Sequence, residues 1–430
     1  MVSTSLILGL GLFMLLLIFL RLEVAFAIGT AAILWMYMAE NSLTLVPSRV
    51  FGGLNMFVLL AIPFFLLAGE LMNQTGITDQ LVRFANVTIG RVRGGLAQAN
   101  VVASLFFAGI TGAAVADVAA LGRIFVPAMA KEGYPRDFSA AVTAASSLVG
   151  PIIPPSIIIV IYGAVTQTSI GGLFAAAVVP GLILSLSLML MLGFISVRYD
   201  LPRYEADIER SEYPNLLVHS VLAMTMPAII LFGITGGIFT PTEAAAVACV
   251  YALFLGIVVY RSLSFDGLYE SLRSSVLRTS QLYLIIGFAT ILSWLLAIEQ
   301  IPALLAETIG EAGLGVVGFM LVIALVLLFV GTWLEIGAAA IILGPTLADM
   351  AALLGIHEFQ FGIMMIVTLN FGLITPPVGI CLFAASSVSR APVISIAKKI
   401  MPFFVADIAV LLLIIQFPQL TLWLPRLLGY

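Results

Sequence analysis

The sequence predicts an all-α polytopic membrane protein, because its composition and the length of its apolar segments both exclude a water-soluble fold. Of its 430 residues, 62% are hydrophobic and 9% are charged, whereas soluble proteins average about 25% charged residues. Apolar segments near membrane-spanning length occupy residues 4–20, 24–39, 181–195, 216–234 and 244–259. These segments are apolar on every face, which excludes the alternating pattern of a transmembrane β-barrel.

An internal repeat divides the chain into two halves. Residues 109–156 align with residues 331–378 at a constant offset of 222. The glycines and prolines that keep this offset are Gly109, Gly122, Gly133, Gly150, Pro154 and Pro155 in the first half. We therefore predict a first repeat over residues 1–208 and a second repeat over residues 209–430.

Each half is predicted to contain three spans, a helical hairpin, a span broken at a Gly…Pro-Pro sequence and one final span. The hairpins are predicted at 94–130 and 313–354, and the broken helices at 138–166 and 360–388. Because five spans are an odd number and each hairpin returns to its own side, the second repeat is predicted to insert with inverted topology. The first arm of the first hairpin, 94–108, measures roughly 22 Å. It is shorter than the hydrocarbon core of about 30 Å, which favours a re-entrant hairpin.

The basic residues agree with this topology. With an outside N-terminus, all of the 18 Lys and Arg residues except Arg49, Arg123 and Arg426 fall on one side of the membrane, and that side is predicted to be cytoplasmic. Both termini are then periplasmic. Hairpins that cross the whole bilayer would place the loops on the same sides, so charge alone does not distinguish the two kinds of hairpin.

Four places are predicted to leave helical form at membrane depth. They are the hairpin tips at 109–112 and 331–335 and the breaks at 146–155 and 368–377. Such backbone is tolerated only where it is buried in protein or lines a wet cavity. A Pro-Pro pair frees several carbonyl groups, and these carbonyls with nearby Ser, Thr and Asn oxygens form a site of the kind that Na⁺ prefers. The alternative is a simple kink, but two copies at one repeat position favour a site.

Ionisable residues in apolar surroundings are candidates for function. Asp117 and Glu335 follow the two Gly-bounded tips, and we predict that they take part in ion coupling or support the ion site. The alternative is that each carboxylate caps the second arm of its hairpin. Glu243 is predicted to cap a helix start, and Asp407 to lie at the membrane interface. The two cysteines and two histidines are isolated, so neither a disulfide framework nor a transition-metal site is expected.

The segments 113–122, 149–156 and 370–379 resemble the large membrane subunit (DctM-type) of the tripartite ATP-independent periplasmic (TRAP) transporters, and the resemblance extends over essentially the whole chain. It implies Na⁺-driven import of an organic acid, such as a C4-dicarboxylate, sialic acid or another sugar acid, across the bacterial inner membrane. An elevator-type movement of the hairpin domain is also implied. The implied partners are a small membrane subunit, a periplasmic substrate-binding protein and the lipid bilayer, with no nucleic acid.

The resemblance also implies which residues bind the coupling ion, of which two or more Na⁺ are expected. The first ion site is implied to contain Thr111, Asp117, Ser146, Ser147 and Gly150. The second is implied to contain Thr332, Glu335, Thr368, Asn370, Gly372 and Thr375. Many members of the family have Asp where this chain has Glu335, so a longer-reach or supporting role is expected there. A stand-alone divalent anion–sodium symporter and, more remotely, an intramembrane hydrolase are the alternative functions.

Overall fold

The structure, a computed structural model, describes residues 4–203, 213–304, 307, 313 and 315–430. In these residues the secondary structure is helical, apart from an isolated bridge between Arg93 and Arg203. The part of the chain that is described therefore has the all-helical fold that the composition predicts.

The first half contains ten α-helices among the described residues. They are α1 (Thr4–Phe19), α2 (Val24–Met38), α3 (Leu45–Leu54), α4 (Ala61–Gln74), α5 (Ile77–Ile89), α6 (Gly95–Thr111), α7 (Ala114–Lys131), α8 (Arg136–Ser146), α9 (Ile157–Thr166) and α10 (Ile170–Arg198). A 3₁₀ turn at Phe57–Leu60 leads into α4, and a second one at Ser147–Val149 follows α8. The pair α6 and α7 forms the first hairpin, and α8 and α9 are the two pieces of the first broken helix.

The second half repeats this order of hairpin, broken helix and long final helix. Its described helices are α11 (Tyr213–Thr235), α12 (Pro241–Phe254), α13 (Phe265–Ile298), α14 (Gly315–Gly331), α15 (Ile336–Leu353), α16 (Glu358–Gly372), α17 (Ile380–Ser389), α18 (Val393–Gln416) and α19 (Gln419–Leu427). A π-helical turn at Leu255–Val259 extends α12. At the start of α12, Thr240 and Glu243 form a capping box, which confirms the predicted role of Glu243.

Seven helical segments in the described ranges are long and apolar enough to cross a membrane. They are Phe57–Gln74, Ile170–Arg198, Pro214–Thr235, Pro241–Val259, Phe265–Ile298, Ile336–Leu353 and Val393–Gln416. Helices α1 and α2 have 16 and 15 residues, and the pieces of the broken helices have between 10 and 15. The chain is thus a multi-pass membrane protein.

The hairpin arms are longer than the sequence predicts. The first arm, predicted at 94–108, is apolar over Gly95–Gly109, and its helix α6 continues to Thr111 with 17 residues in all, while the second arm α7 has 18. Helices α14 and α15 likewise have 17 and 18 residues. At 1.5 Å per residue these arms measure about 26 Å, close to the thickness of the hydrocarbon core. Arm length therefore gives no support to a re-entrant hairpin, and both that feature and the inverted topology of the repeats stay predictions.

The two halves are interlocked around their broken helices. The second hairpin arm α7 packs on α8 of its own half and on α17 of the other half. In the corresponding way, α15 packs on α16 of its own half and on α9 of the other half. One continuous apolar core includes residues of both halves. This exchange of contacts brings both hairpins and both breaks into one region of the molecule.

An ion pair joins two helices outside that region. Arg278 on α13 donates to the Glu70 carboxylate on α4 at 2.9 Å, and the Glu70 side chain is only 14% exposed. We expect Glu70→Gln to lower stability by about 1 kcal/mol, because half of the Arg278 side chain remains in solvent and weakens the pair.

A thermal melt of the variant measures this effect. The matched control is Glu270→Gln, since Glu270 pairs with Arg273 at 3.5 Å with both side chains more than half exposed. The control should melt as the wild type does, and equal melting of the two variants would show that the half-buried pair of Glu70 and Arg278 contributes nothing to stability.

Candidate cation site at the two helix breaks

The first break begins where α8 ends at Ser146. After the 3₁₀ turn, residues 150–155 are irregular and include a cis peptide bond between Pro154 and Pro155. Ser156 then starts α9, because its hydroxyl accepts a hydrogen bond from the Ile159 N–H group at 3.4 Å and donates one to the Pro151 carbonyl at 2.5 Å. The Ser156 side chain therefore satisfies one backbone group within the first break and another in α9, at the point where α9 begins.

At the second break, the backbone group before the second helix piece bonds to the tip of the second hairpin instead. Residues 373–379 are irregular, with a cis peptide bond between Pro376 and Pro377. Gly379 precedes α17 with φ +62°, a left-handed conformation that glycine adopts without strain. Its N–H group donates to the Thr332 carbonyl at 2.9 Å. The tip of the second hairpin is thus hydrogen-bonded to the second break.

Two glycines allow this tip and the end of α16 to meet backbone to backbone. A Cβ atom placed on Gly372 would lie 2.5 Å from the Cα atom of Gly331 and 2.8 Å from its carbonyl oxygen. Real Cβ atoms do not approach backbone so closely, so neither position has room for a side chain. The two glycines, which the repeat aligns with Gly150 and Gly109, set the distance between hairpin and break.

Asp117 lies against the first break. Its side chain is fully buried in the first turns of α7. A Cβ atom on Gly150 would collide with the Oδ2 atom of Asp117, so the carboxylate sits directly over this glycine. Cys381 of α17 lies within hydrogen-bonding reach of the Ser147 hydroxyl, in the field of the same carboxylate. One acidic group, the first break and the start of α17 therefore meet at one place.

Asn370 joins the two breaks to each other. Its side-chain N–H group donates to the Leu148 carbonyl at 2.5 Å, across 222 residues of sequence. This separation equals the repeat offset, so the bond connects equivalent positions of the two halves. The Oδ1 atom of Asn370 is buried and has no hydrogen-bond partner among the described residues. A buried acceptor left unsatisfied costs about 1–3 kcal/mol, and a bound cation would satisfy it.

The described hydroxyl groups that the resemblance implies as ligands each donate a hydrogen bond to a backbone carbonyl. Their donors bond to carbonyl oxygens three or four residues earlier: Ser147 to Ala144 at 2.8 Å, Thr332 to Phe329 at 2.8 Å, Thr368 to Met364 at 2.7 Å and Thr375 to Phe371 at 2.7 Å. Since a hydroxyl has one donor and two acceptor lone pairs, these oxygens can still accept a cation. Thr111 is the last residue of α6, and its side chain lies outside the described part of the structure.

Glu335 differs from the other residues implied by the resemblance. Its carboxylate is exposed and accepts a hydrogen bond from the Ala338 N–H group at 3.0 Å, which makes it the cap of α15. This is the alternative role that the sequence left open. In the second repeat, the position equivalent to Asp117 is Ala339. The two halves of the site are therefore unequal in charge, with the buried carboxylate on the first side.

A buried polar network next to Ser146 was missed from the sequence. Asn100 of α6 donates to the Thr143 hydroxyl at 2.7 Å, and Ser146 donates to the side-chain Oδ1 atom of Asn100 at 3.2 Å. Ser104 reaches the Ser146 hydroxyl at 3.0 Å. Asn100 and Ser104 are four residues apart on one face of α6, and this spacing is the signal that could have identified them. The network holds the first hairpin arm to the end of α8.

Asp407 is a second carboxyl group that the structure encloses completely. The side chain is fully buried on α18, and neither carboxyl oxygen has a hydrogen-bond partner in the described ranges. Its place at the membrane interface stays a prediction. Helix α18 packs on α8 and on α16, the two helices that end in the breaks. Among the described residues, Asp117 and Asp407 are the charged side chains that are fully enclosed.

Oxygen atoms dominate this region. Among the described residues, no group of three His, Cys, Asp or Glu side chains is placed to hold a metal ion. The groups that the breaks bring together are carbonyls, hydroxyls, an amide and a carboxylate, with the Cys381 thiol as a soft group beside them. The oxygen groups are ligands for hard cations.

Comparison with known proteins shows extended similarity. Residues 10–420 match the family described as Tripartite ATP-independent periplasmic transporter, DctM component. The chain is 38% identical over 416 residues to the sialic acid TRAP transporter large permease protein SiaM of Vibrio cholerae, which covers 96% of this chain and 97% of that relative. It is 39% identical over 381 residues to the C4-dicarboxylate TRAP transporter large permease protein DctM of Pseudomonas aeruginosa, covering 89% of each.

A solved structure shows the same fold at low sequence identity. The crystal structure of the Alcanivorax borkumensis YdaH transporter has a TM-score of 0.62 to this chain and covers 90% of it and 89% of its own length, with 15% identity. At this identity the similarity concerns the fold alone.

Proposed function

Because the chain belongs to the DctM family, the large permeases of the TRAP transporters, we propose that it imports an organic acid anion across the bacterial inner membrane together with Na⁺. Family membership makes it a transport protein rather than an enzyme, which decides against the intramembrane hydrolase. The substrate classes we propose are sialic acid and C4-dicarboxylates, after the printed names of two relatives. A periplasmic binding protein delivers the anion, and a small membrane subunit is the partner in the membrane.

The environment of Asn370 carries the proposal for Na⁺. Its unsatisfied Oδ1 atom lies where the two breaks are hydrogen-bonded to each other. The surrounding groups are oxygen atoms that accept a hard monovalent cation. We place one Na⁺ between each hairpin tip and the break beside it, with the buried Asp117 carboxylate balancing charge at the first site.

The contacts of the hairpins support an elevator-type movement. Each second arm packs on its own broken helix and on the other half's broken helix, so both hairpins and both breaks can move as one body. The anion and the ions then cross the membrane together with that body. The alternative of a stand-alone symporter would require uptake without any binding protein.

The driving force is sufficient for accumulation. Two Na⁺ carried with a monoanion move one net charge, which contributes about 2.3 kcal/mol per 100 mV. A tenfold Na⁺ gradient adds about 1.4 kcal/mol for each ion. The sum of roughly 5 kcal/mol exceeds the roughly 4.1 kcal/mol that thousandfold accumulation requires. For a dianion the voltage contribution vanishes unless a third Na⁺ enters, so the stoichiometry should follow the charge of the substrate.

Thermal melting of the purified large and small subunits tests the cation site without knowledge of the substrate. We expect a higher melting temperature in NaCl than in KCl or choline chloride at equal ionic strength, because a site filled at 100 times its Kd stabilises the protein by about 2.7 kcal/mol. One melting curve in all three salts would contradict Na⁺ binding. If NaCl does raise the melting temperature, uptake into proteoliposomes tests the transport function. We expect this uptake to require both a Na⁺ gradient and the binding protein.

A further inference from the structure

A groove of about 350 Å³ lies between the second break, α17 and α18. Its walls include Pro376, Pro377, Leu382, Ile394, Lys398 and Met401. Lys398 is the one charged side chain among the described residues that line it. The groove is therefore an apolar slot with a cation at its edge.

The surface around the groove has the character of a lipid-facing surface. On α18, Ile394 is 72% exposed, Met401 47% and Val405 60%. With Lys398 these residues follow a spacing of three and four, which places them on one face of the helix, and exposed Leu412 continues it. An apolar stripe of this length suits acyl chains. A hydroxylated or dicarboxylic solute would find no hydrogen-bonding side chain in the groove other than Lys398.

The charge near the groove favours an anionic headgroup. Lys398 and Lys399 are both exposed, and the long Lys stem lets the ammonium group reach the interface. One acidic group that contacts α18 is Asp137 of α8, which accepts a hydrogen bond from Ser395 at 2.5 Å and has Arg136 beside it in sequence. The predicted topology places these residues on the cytoplasmic side, where anionic lipids attract basic residues.

We propose that this groove binds one acyl chain of an anionic phospholipid, with the lipid phosphate at Lys398. The bound chain contacts Pro376 and Pro377, which directly follow Thr375, so the lipid stabilises the second break. The proposal rests on the groove, the apolar stripe and the lysine, and it does not depend on Na⁺ coupling.

Melting in nanodiscs tests the proposal. The complex of large and small subunits is reconstituted in phosphatidylcholine with increasing fractions of phosphatidylglycerol. We expect phosphatidylglycerol to raise the melting temperature by about 3 °C. Lys398→Gln should raise the half-saturating fraction about fivefold, whereas Lys398→Arg should keep the wild-type response. Ala397→Trp fills the groove without changing charge and should remove the shift.

The matched control is Lys131→Gln, which removes one exposed positive charge on the same predicted side of the membrane. It should respond to phosphatidylglycerol as the wild type does. If Lys131→Gln and Lys398→Gln weaken the response of the melting temperature to phosphatidylglycerol equally, the proposal is overturned, because the lipid then responds to diffuse surface charge. A melting shift caused by succinate or N-acetylneuraminate in pure phosphatidylcholine, lost in Lys398→Gln, would overturn it in favour of a solute subsite. Photo-cross-linking to the small subunit from a thiol-reactive photoprobe on Ile394→Cys would overturn the proposal, because it would show that the subunit rather than lipid covers the groove.

Discussion

Replacing Asn370 with Ala is expected to reduce Na⁺-driven uptake about 50-fold while assembled protein remains. The change removes the Oδ1 atom to which the proposed Na⁺ binds, and it also removes the hydrogen bond to the Leu148 carbonyl that joins the two breaks. Each loss at a buried site is worth about 1–3 kcal/mol, and 1.4 kcal/mol corresponds to a tenfold change in rate. The measurement is the initial rate of uptake into proteoliposomes supplied with the binding protein.

The control for Asn370→Ala is Gln360→Ala on the same helix. Gln360 is a buried amide that donates to the Ile414 and Ile415 carbonyls at 3.2 and 3.3 Å, away from the break. Its loss should weaken the packing of α16 on α18 but leave the Na⁺ dependence of melting unchanged. Full Na⁺-dependent uptake by Asn370→Ala, or an unchanged Na⁺-specific melting shift in that variant, would contradict a cation site at this residue.

Gly372→Ala is expected to destabilise the protein by about 3 kcal/mol, because the added methyl group has no space. It would meet the Cα and carbonyl oxygen of Gly331, which are backbone atoms and cannot rotate away. The second hairpin tip must then move from the break, and its hydrogen bond from Gly379 to Thr332 is lost with it. We expect a lower melting temperature and little uptake.

Gly344→Ala is the control for this second variant. Gly344 is also a buried glycine inside a helix, but its added Cβ would meet no atom closer than 3.6 Å. Because alanine favours the helix over glycine by up to about 1 kcal/mol, this variant should melt at or above the wild-type temperature. Similar melting temperatures of the two variants would show that the contact between Gly331 and Gly372 does not determine the distance between the second hairpin tip and the second break.

The membrane class and the presence of both breaks could be predicted from the sequence, but the second break begins at residue 373 rather than at the predicted 368, since α16 stays helical to Gly372. Apolar segment length and the Gly…Pro-Pro pairs are local properties, and each acts directly on the backbone that carries it. The cap at Glu243 was predictable for the same reason, since Thr240 and Glu243 are only three residues apart. The inverted topology, the re-entrant hairpins and the Na⁺ ligands stay predictions.

Only the tertiary structure decided which partners the individual side chains contact. Asn370 reaches Leu148, Asp117 lies on Gly150 and Ser146 bonds to Asn100, and each contact joins residues that are far apart in sequence. The structure also separated two carboxylates that look alike in sequence, because Asp117 is buried at a break whereas Glu335 caps a helix in an exposed position. A local pattern determines where the backbone leaves the helix, but the packing of the two halves decides which groups meet there.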